Sequence, residues 1–174
     1  MIRFSPYMKL LLCTGLLAIC GSAYAMELSF NQQEFQLPAQ TENLVVVDLN
    51  GDGLQELIAV LDRGLVVYFQ SESGFDFEAG QAIDFPGQSI GWDLSTQYSD
   101  AGNTAIIALI DGSSVLAWSV EERTILEPFP VKSNLNGFLS KGVHRLHFSR
   151  DINGDSIDDL LIPGAGVINL HISN

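Results

Sequence analysis

Apolar residues in this chain come in short runs, not in helical stripes. No stretch keeps a 3.6-residue apolar period over twelve residues. Runs at 44–47, 57–61, 65–69, 105–110, 115–118, 160–162 and 167–170 stand between clusters of Gly, Asp, Asn, Ser or Pro. β-Branched and aromatic residues dominate them. This pattern predicts an all-β fold of antiparallel hairpins. The continuous runs, lacking in/out alternation, predict strands covered on both faces.

The runs are parts of a repeat. One unit opens Asp48-Leu49-Asn50-Gly51-Asp52-Gly53-Leu54-Gln55-Glu56 and continues into an apolar run. Another opens Asp151-Ile152-Asn153-Gly154-Asp155-Ser156-Ile157-Asp158-Asp159 and continues likewise. A degenerate middle unit starts at Asp93-Leu94, and its run Ile106 to Ile110 matches Leu57 to Leu61. After it, Asp111-Gly112-Ser113-Ser114 turns the chain as Asp62-Arg63-Gly64 does in the first unit. Starts near 48, 93 and 151 give intervals of 45 and 58 residues, about the length of a four-stranded propeller blade. A two-layer sandwich would explain the strands but not an acidic loop recurring at that interval.

These acidic loops resemble FG-GAP/VCBS repeats, the calcium-binding blades of integrin-α-like β-propellers. The resemblance covers about three units. It implies metal-bound hairpin loops in a secreted or cell-surface protein. Three units are too few to close a ring of the family's usual size. The expected architecture is therefore an incomplete or open propeller of about three four-stranded antiparallel blades over residues 26–174. The middle unit departs from the family, because its loop, Ser95 to Asn103, keeps only Asp100 as an acidic residue. The family's Phe-Gly and Gly-Ala-Pro signatures survive only as Ser73-Gly74-Phe75 and Pro163-Gly164-Ala165-Gly166.

The chain's beginning changes the composition arithmetic. Arg3 and Lys9 precede a short apolar run ending in Ala23-Tyr24-Ala25, which reads as a secretory signal peptide at 1–25, cleaved after Ala25. The expected location is secreted or periplasmic, with no membrane insertion after cleavage. The signal holds two of the eight basic residues, none of the 21 acidic ones and both cysteines. The mature chain of 149 residues thus has no disulfide to rely on. Its formal charge moves from the full chain's -13 to -15. Such a balance excludes the basic footprint that nucleic acids require.

The acidic loops carry the strongest chemical signal. Calcium takes six to eight oxygen ligands. Alternate loop positions supply them: Asp48, Asn50, Asp52 and Glu56 with the carbonyl of Leu54, and Asp151, Asn153, Asp155 and Asp159 with the carbonyl of Ile157. Without a cation, three carboxylates in one short loop repel one another. An oxygen-only ligand set disfavours zinc and copper. An EF-hand would need an acidic residue at position twelve, where Ala59 and Ile162 stand. Gly53 at position six tolerates a left-handed backbone, whereas Ser156 in the same place is strained by it.

Other motifs are weaker. Gly87-Gln88-Ser89-Ile90-Gly91 has the spacing of a hydrolase elbow, with Asp111 and His144 following in order. That motif needs a strand on one side and a helix on the other; here a strand-like Trp92-Asp93-Leu94 follows. His144 and His147 are an odd number apart, on opposite faces of a strand, and His171 sits in the last apolar hairpin. The expected function is a non-enzymatic recognition or adhesion module with structural Ca2+. Its partner would be a protein or glycan, and its open blade faces would favour self-association. The alternative is an accessory part of a larger secreted, polysaccharide-acting enzyme.

Overall fold

The computed structural model describes residues 32, 34–100, 102–138 and 143–173. The signal peptide expected at 1–25 lies outside them. The described residues contain no helix, only strands, turns and bends.

The first sheet joins β1 (Asn43–Val47), β2 (Glu56–Val60), β3 (Gly64–Tyr68) and, after a small ribbon of β4 (Gln70–Ser71) and β5 (Gly74–Phe75), β6 (Gln81–Asp84). Every pairing is antiparallel and the spatial order is β1-β2-β3-β6. The second sheet repeats the plan with β7 (Ser89–Ser95), β8 (Ala105–Ile110) and β9 (Ser114–Trp118). A ribbon of β10 (Val120–Glu121) and β11 (Thr124–Ile125) follows, then β12 (Phe129–Ser133). β12 is an edge strand, which is where Pro130 can sit without breaking a ladder on both sides. Among the described residues the third sheet has three strands, where four are expected: β13 (Ser149–Arg150), β14 (Asp159–Gly164) and β15 (Val167–His171). No sheet closes on itself.

All seven apolar runs fall on strands, with only Leu61 and Phe69 just past a strand end, and their packing explains their composition. On β8, Ile106, Ala108 and Ile110 join one apolar cluster with Ile58, Val60, Leu65 and Val67 of the first sheet. The alternate residues Ile107 and Leu109 join a second cluster with Leu160 and Ile162 of the third sheet. The middle sheet is thus covered on both faces, and every residue of β8 is buried. The first sheet's outer face, with Leu57, Ala59 and Tyr68, is covered by its own chain through Leu37, Phe75 and Phe77. The third sheet's outer face carries Ile168 and Leu170, both exposed.

Candidate functional site

Each acidic loop leaves the first strand of its sheet and enters the second. Asp48 follows β1 and Glu56 opens β2; Asp151 follows β13 and Asp159 opens β14. The middle sheet has a loop at the same connection, between β7 and β8. It begins only after Ser95, because Asp93 lies inside β7 opposite Ile107.

The two acidic loops share one internal wiring, residue for residue. Asp48 accepts the N–H of Gly51 at 2.7 Å and of Gly53 at 2.9 Å. Asp151 accepts the N–H of Gly154 at 2.7 Å and of Ser156 at 2.8 Å. Asn50 accepts from the Asp52 amide and donates to its carboxylate, as Asn153 does with Asp155. Asp52 accepts from the Leu54 N–H, and Asp155 from that of Ile157, each at 2.8 Å. These turns require left-handed backbone at two places. Gly51 and Gly154 have φ of 70° and 82°; Gly53 and Ser156 have 84° and 69°. Gly51 is constrained twice over, since a Cβ there would lie 2.5 Å from the carbonyl oxygen of Gly102.

The ninth positions close the loops from inside. Glu56 has no exposed surface, and its Oε2 accepts the Leu49 N–H at 2.7 Å. Its Oε1 is buried and, among the described residues, makes no well-formed hydrogen bond. Burial raises the Glu56 pKa, the backbone N–H groups of Leu49 and Gln70 oppose this, and the charges of Asp52 and Asp48 push it further up. Asp159 is better satisfied: its Oδ2 accepts from Ile152 N–H at 2.9 Å and its Oδ1 from Ser173 N–H at 2.8 Å. These backbone donors, Ser173 first, hold its pKa below the ordinary value. Asp159 has no exposed surface, and burial opposes this lowering, but the hydrogen bonds together prevail. Ser173, beyond the last strand, also donates to the carbonyl of Asp158; nothing in its sequence neighbourhood signals that role.

Among the described residues no group of three His, Cys, Asp or Glu side chains stands at metal-holding distances. The carboxylates at positions one and five are turned to the loop's own amides. The fit to a cation rests on the oxygen-only donor set and on the orphaned buried oxygen of Glu56, which faces the fields of Asp48 and Asp52.

The middle loop joins its neighbours. Thr104 N–H donates to the Leu49 carbonyl at 2.7 Å, and the Gln97 side chain donates to the Ser156 carbonyl at 2.8 Å. Ser95 and Ser149 both donate their hydroxyls to Asp158. Three loops therefore form one row along one end of the stacked sheets.

Ser89 begins β7 at a bulge and the chain runs on as strand, without the helix that a nucleophile elbow requires. Its hydroxyl is buried and unpartnered beside a depression of about 490 Å³ lined by Glu42, Asp62, Arg63 and Gln88. Asp111 accepts the Gln88 N–H, and His144 is exposed. Ser89, Asp111 and His144 do not assemble as a hydrogen-bonded triad. No protein-family model matches this chain, and no curated protein and no solved structure matches it either.

Proposed function

We propose that this chain is an exported calcium-binding β-repeat module serving recognition or adhesion, in which calcium is structural and the chain itself performs no catalysis. The observation that supports this reading most is the duplicated wiring of 48–56 and 151–159 at the same connection of two sheets. Asp-rich turns arise without metal. Here, however, two loops 103 residues apart keep the same donor at each position, and one leaves a buried carboxylate oxygen without a partner. A buried charge of that kind calls for a cation or a proton.

Asp48, Asn50, Asp52, Glu56 and the Leu54 carbonyl would hold the ion in the first loop. Asp151, Asn153, Asp155, Asp159 and the Ile157 carbonyl would do so in the second. Calcium when bound supplies positive charge that offsets the carboxylates. The residues contribute the rest: the amide-bonded aspartates fix the loop's path, and Glu56 ties its end to Leu49. The meander order and the covering of the middle sheet on both faces are also what a run of propeller-like blades would require. Isothermal titration of calcium into chelator-stripped mature protein tests the reading. A stoichiometry of one or two is expected, and absence of both heat and spectral change at millimolar calcium overturns it.

A further inference from the structure

Half of the mature chain's six basic residues, Lys141, Arg145 and Arg150, fall within ten positions of an otherwise acidic sequence. The tertiary structure gathers two of them, with His147, around a single buried carboxylate. Asp93 lies in β7, and its side chain is 1% exposed. The segment carrying the cations crosses this strand: Trp92 N–H donates to the His144 carbonyl at 2.9 Å, and Leu146 N–H donates to the Trp92 carbonyl at 2.8 Å. Residues 145 and 147 therefore share a side of the extended segment, toward Asp93.

Arg145, His147 and Arg150 surround Asp93 without hydrogen-bonding to it. Arg145 Nε stands 3.8 Å and His147 Nδ1 3.7 Å from Oδ1; Arg150 Nη1 stands 3.7 Å from Oδ2. Those separations exceed hydrogen-bond lengths. Among the described residues Asp93 accepts one hydrogen bond, from Ser149 N–H at 3.2 Å, and Oδ1 accepts none. Arg145 lies over the Trp92 ring, 5.7 Å from its centroid. Among the described residues no hydrogen bond uses its guanidinium. Arg150 donates to the Ser149 carbonyl and contacts His147. The neighbouring carboxylate of Asp158 is already engaged by Ser95 and Ser149. Two permanent positive charges thus face one internal negative charge, and the Arg145, His147 and Arg150 side chains all retain solvent exposure.

We propose that Arg145, His147 and Arg150, held in place by buried Asp93, form a binding site for an oxyanion: a carboxylate, sulfate or phosphate group of a ligand. Guanidinium forks match such groups in two-point hydrogen bonding, and their attraction grows where an aromatic ring excludes water on one side. Asp93 is a positioning residue. It draws the cations to one spot and, being buried, leaves their outer donors to the ligand. In a protein of this net charge, the site would be selective for an anion borne at close range, since the distant field repels polyanions.

The test uses the mature chain in chelator at constant ionic strength, titrated with sodium sulfate, sodium phosphate or sodium galacturonate. Tryptophan emission and calorimetry are the readouts. Saturable binding of at least one anion is expected; the tetrahedral and carboxylate arms show which source the site takes. Arg145→Gln and Arg150→Gln should each weaken it about tenfold, with Arg123→Gln, remote on the β10–β11 turn, as control. Asp93→Asn should weaken binding severalfold at unchanged stoichiometry, because the arginines lose the charge that gathers them; a purely structural carboxylate would give only a lower melting temperature. No saturable response to any of the three anions overturns the proposal, as does an unchanged response in the folded Arg145→Gln/Arg150→Gln variant.

Discussion

Glu56 and Asp159 each accept the backbone N–H of the residue seven positions earlier, Leu49 and Ile152 respectively. The same closure has opposite electrostatic consequences. Asp159 finds a second well-placed donor in Ser173, whereas among the described residues the other oxygen of Glu56 makes no well-formed hydrogen bond. The first loop therefore has more to gain from a cation than the second.

That asymmetry ranks the loops. Asp48→Ala or Asp52→Ala is expected to remove more of the calcium-dependent rise in melting temperature than Asp151→Ala or Asp155→Ala. An ion bound only by the native state stabilises by about 2.7 kcal/mol at a hundredfold excess over Kd. Thermal melts of the four variants with calcium and with chelator measure each share. A larger loss from the second-loop pair would reverse the ranking.

Glu56 also sets a pH dependence. Its folded pKa is raised above the ordinary 4.5, mainly by burial. In chelator the folded state thus binds this proton more tightly than the unfolded state, and the Glu56 contribution to stability falls as pH rises above about 4.5. Asp159 acts in the opposite sense: its pKa is lowered, so its contribution is lost as pH falls below about 3.8. Glu56→Gln should raise the melting temperature in chelator at pH 7 and shrink the calcium increment. Calcium should stabilise the wild type more at pH 7 than at pH 5, because its ligands must be deprotonated. A chelator melt of Glu56→Gln below wild type at pH 7 would count against this assignment.

The sixth loop position offers a backbone test. Ser156 holds φ at 69°, and Gly53 holds 84° with nothing within 4 Å of where a Cβ would be. The cost of a side chain at residue 53 is therefore conformational alone. Gly53→Ser should destabilise by about 1 kcal/mol, while Ser156→Gly should stabilise by a few tenths, its strain relief being partly offset by unfolded-state entropy. Chemical denaturation of both variants in chelator compares them directly.

The middle sheet should dominate core energetics. Ile107 is fully buried between the second and third sheets. Ile107→Ala is expected to cost about 2–5 kcal/mol, whereas Val167→Ala, at an exposed position on β15, should change stability by less than about 0.5 kcal/mol. Equilibrium urea unfolding would show whether the two differ in this way.

Self-association is expected through the third sheet. β15 is an edge strand, and Ile168 and Leu170 on its outer face are 68% and 49% exposed. Sedimentation of residues 26–174 should show dimers or larger species, which Ile168→Asp and Leu170→Asp shift toward monomer. A wild-type monomer throughout the micromolar range would refute this.

The sequence by itself determined the strand content and the acidic loops. Each is local: turn residues bracket the runs, and alternating Asp and Asn define the loops within nine positions. The continuous run at 105–110 even announced burial on both sides, because no polar face was left to meet water. The edge strands β6 and β12 were less legible. Gln81–Asp84 is half polar and Phe129–Ser133 contains Pro130, since an edge strand need satisfy only one neighbour. Only the tertiary structure decided that the third sheet has three strands, that Ser173 returns to Asp159, and that Asp93 meets Arg145, His147 and Arg150. These contacts join positions 14 to 57 residues apart. Local spacing carries no signal of them, because they arise where sheets stack and the chain crosses from one to the next.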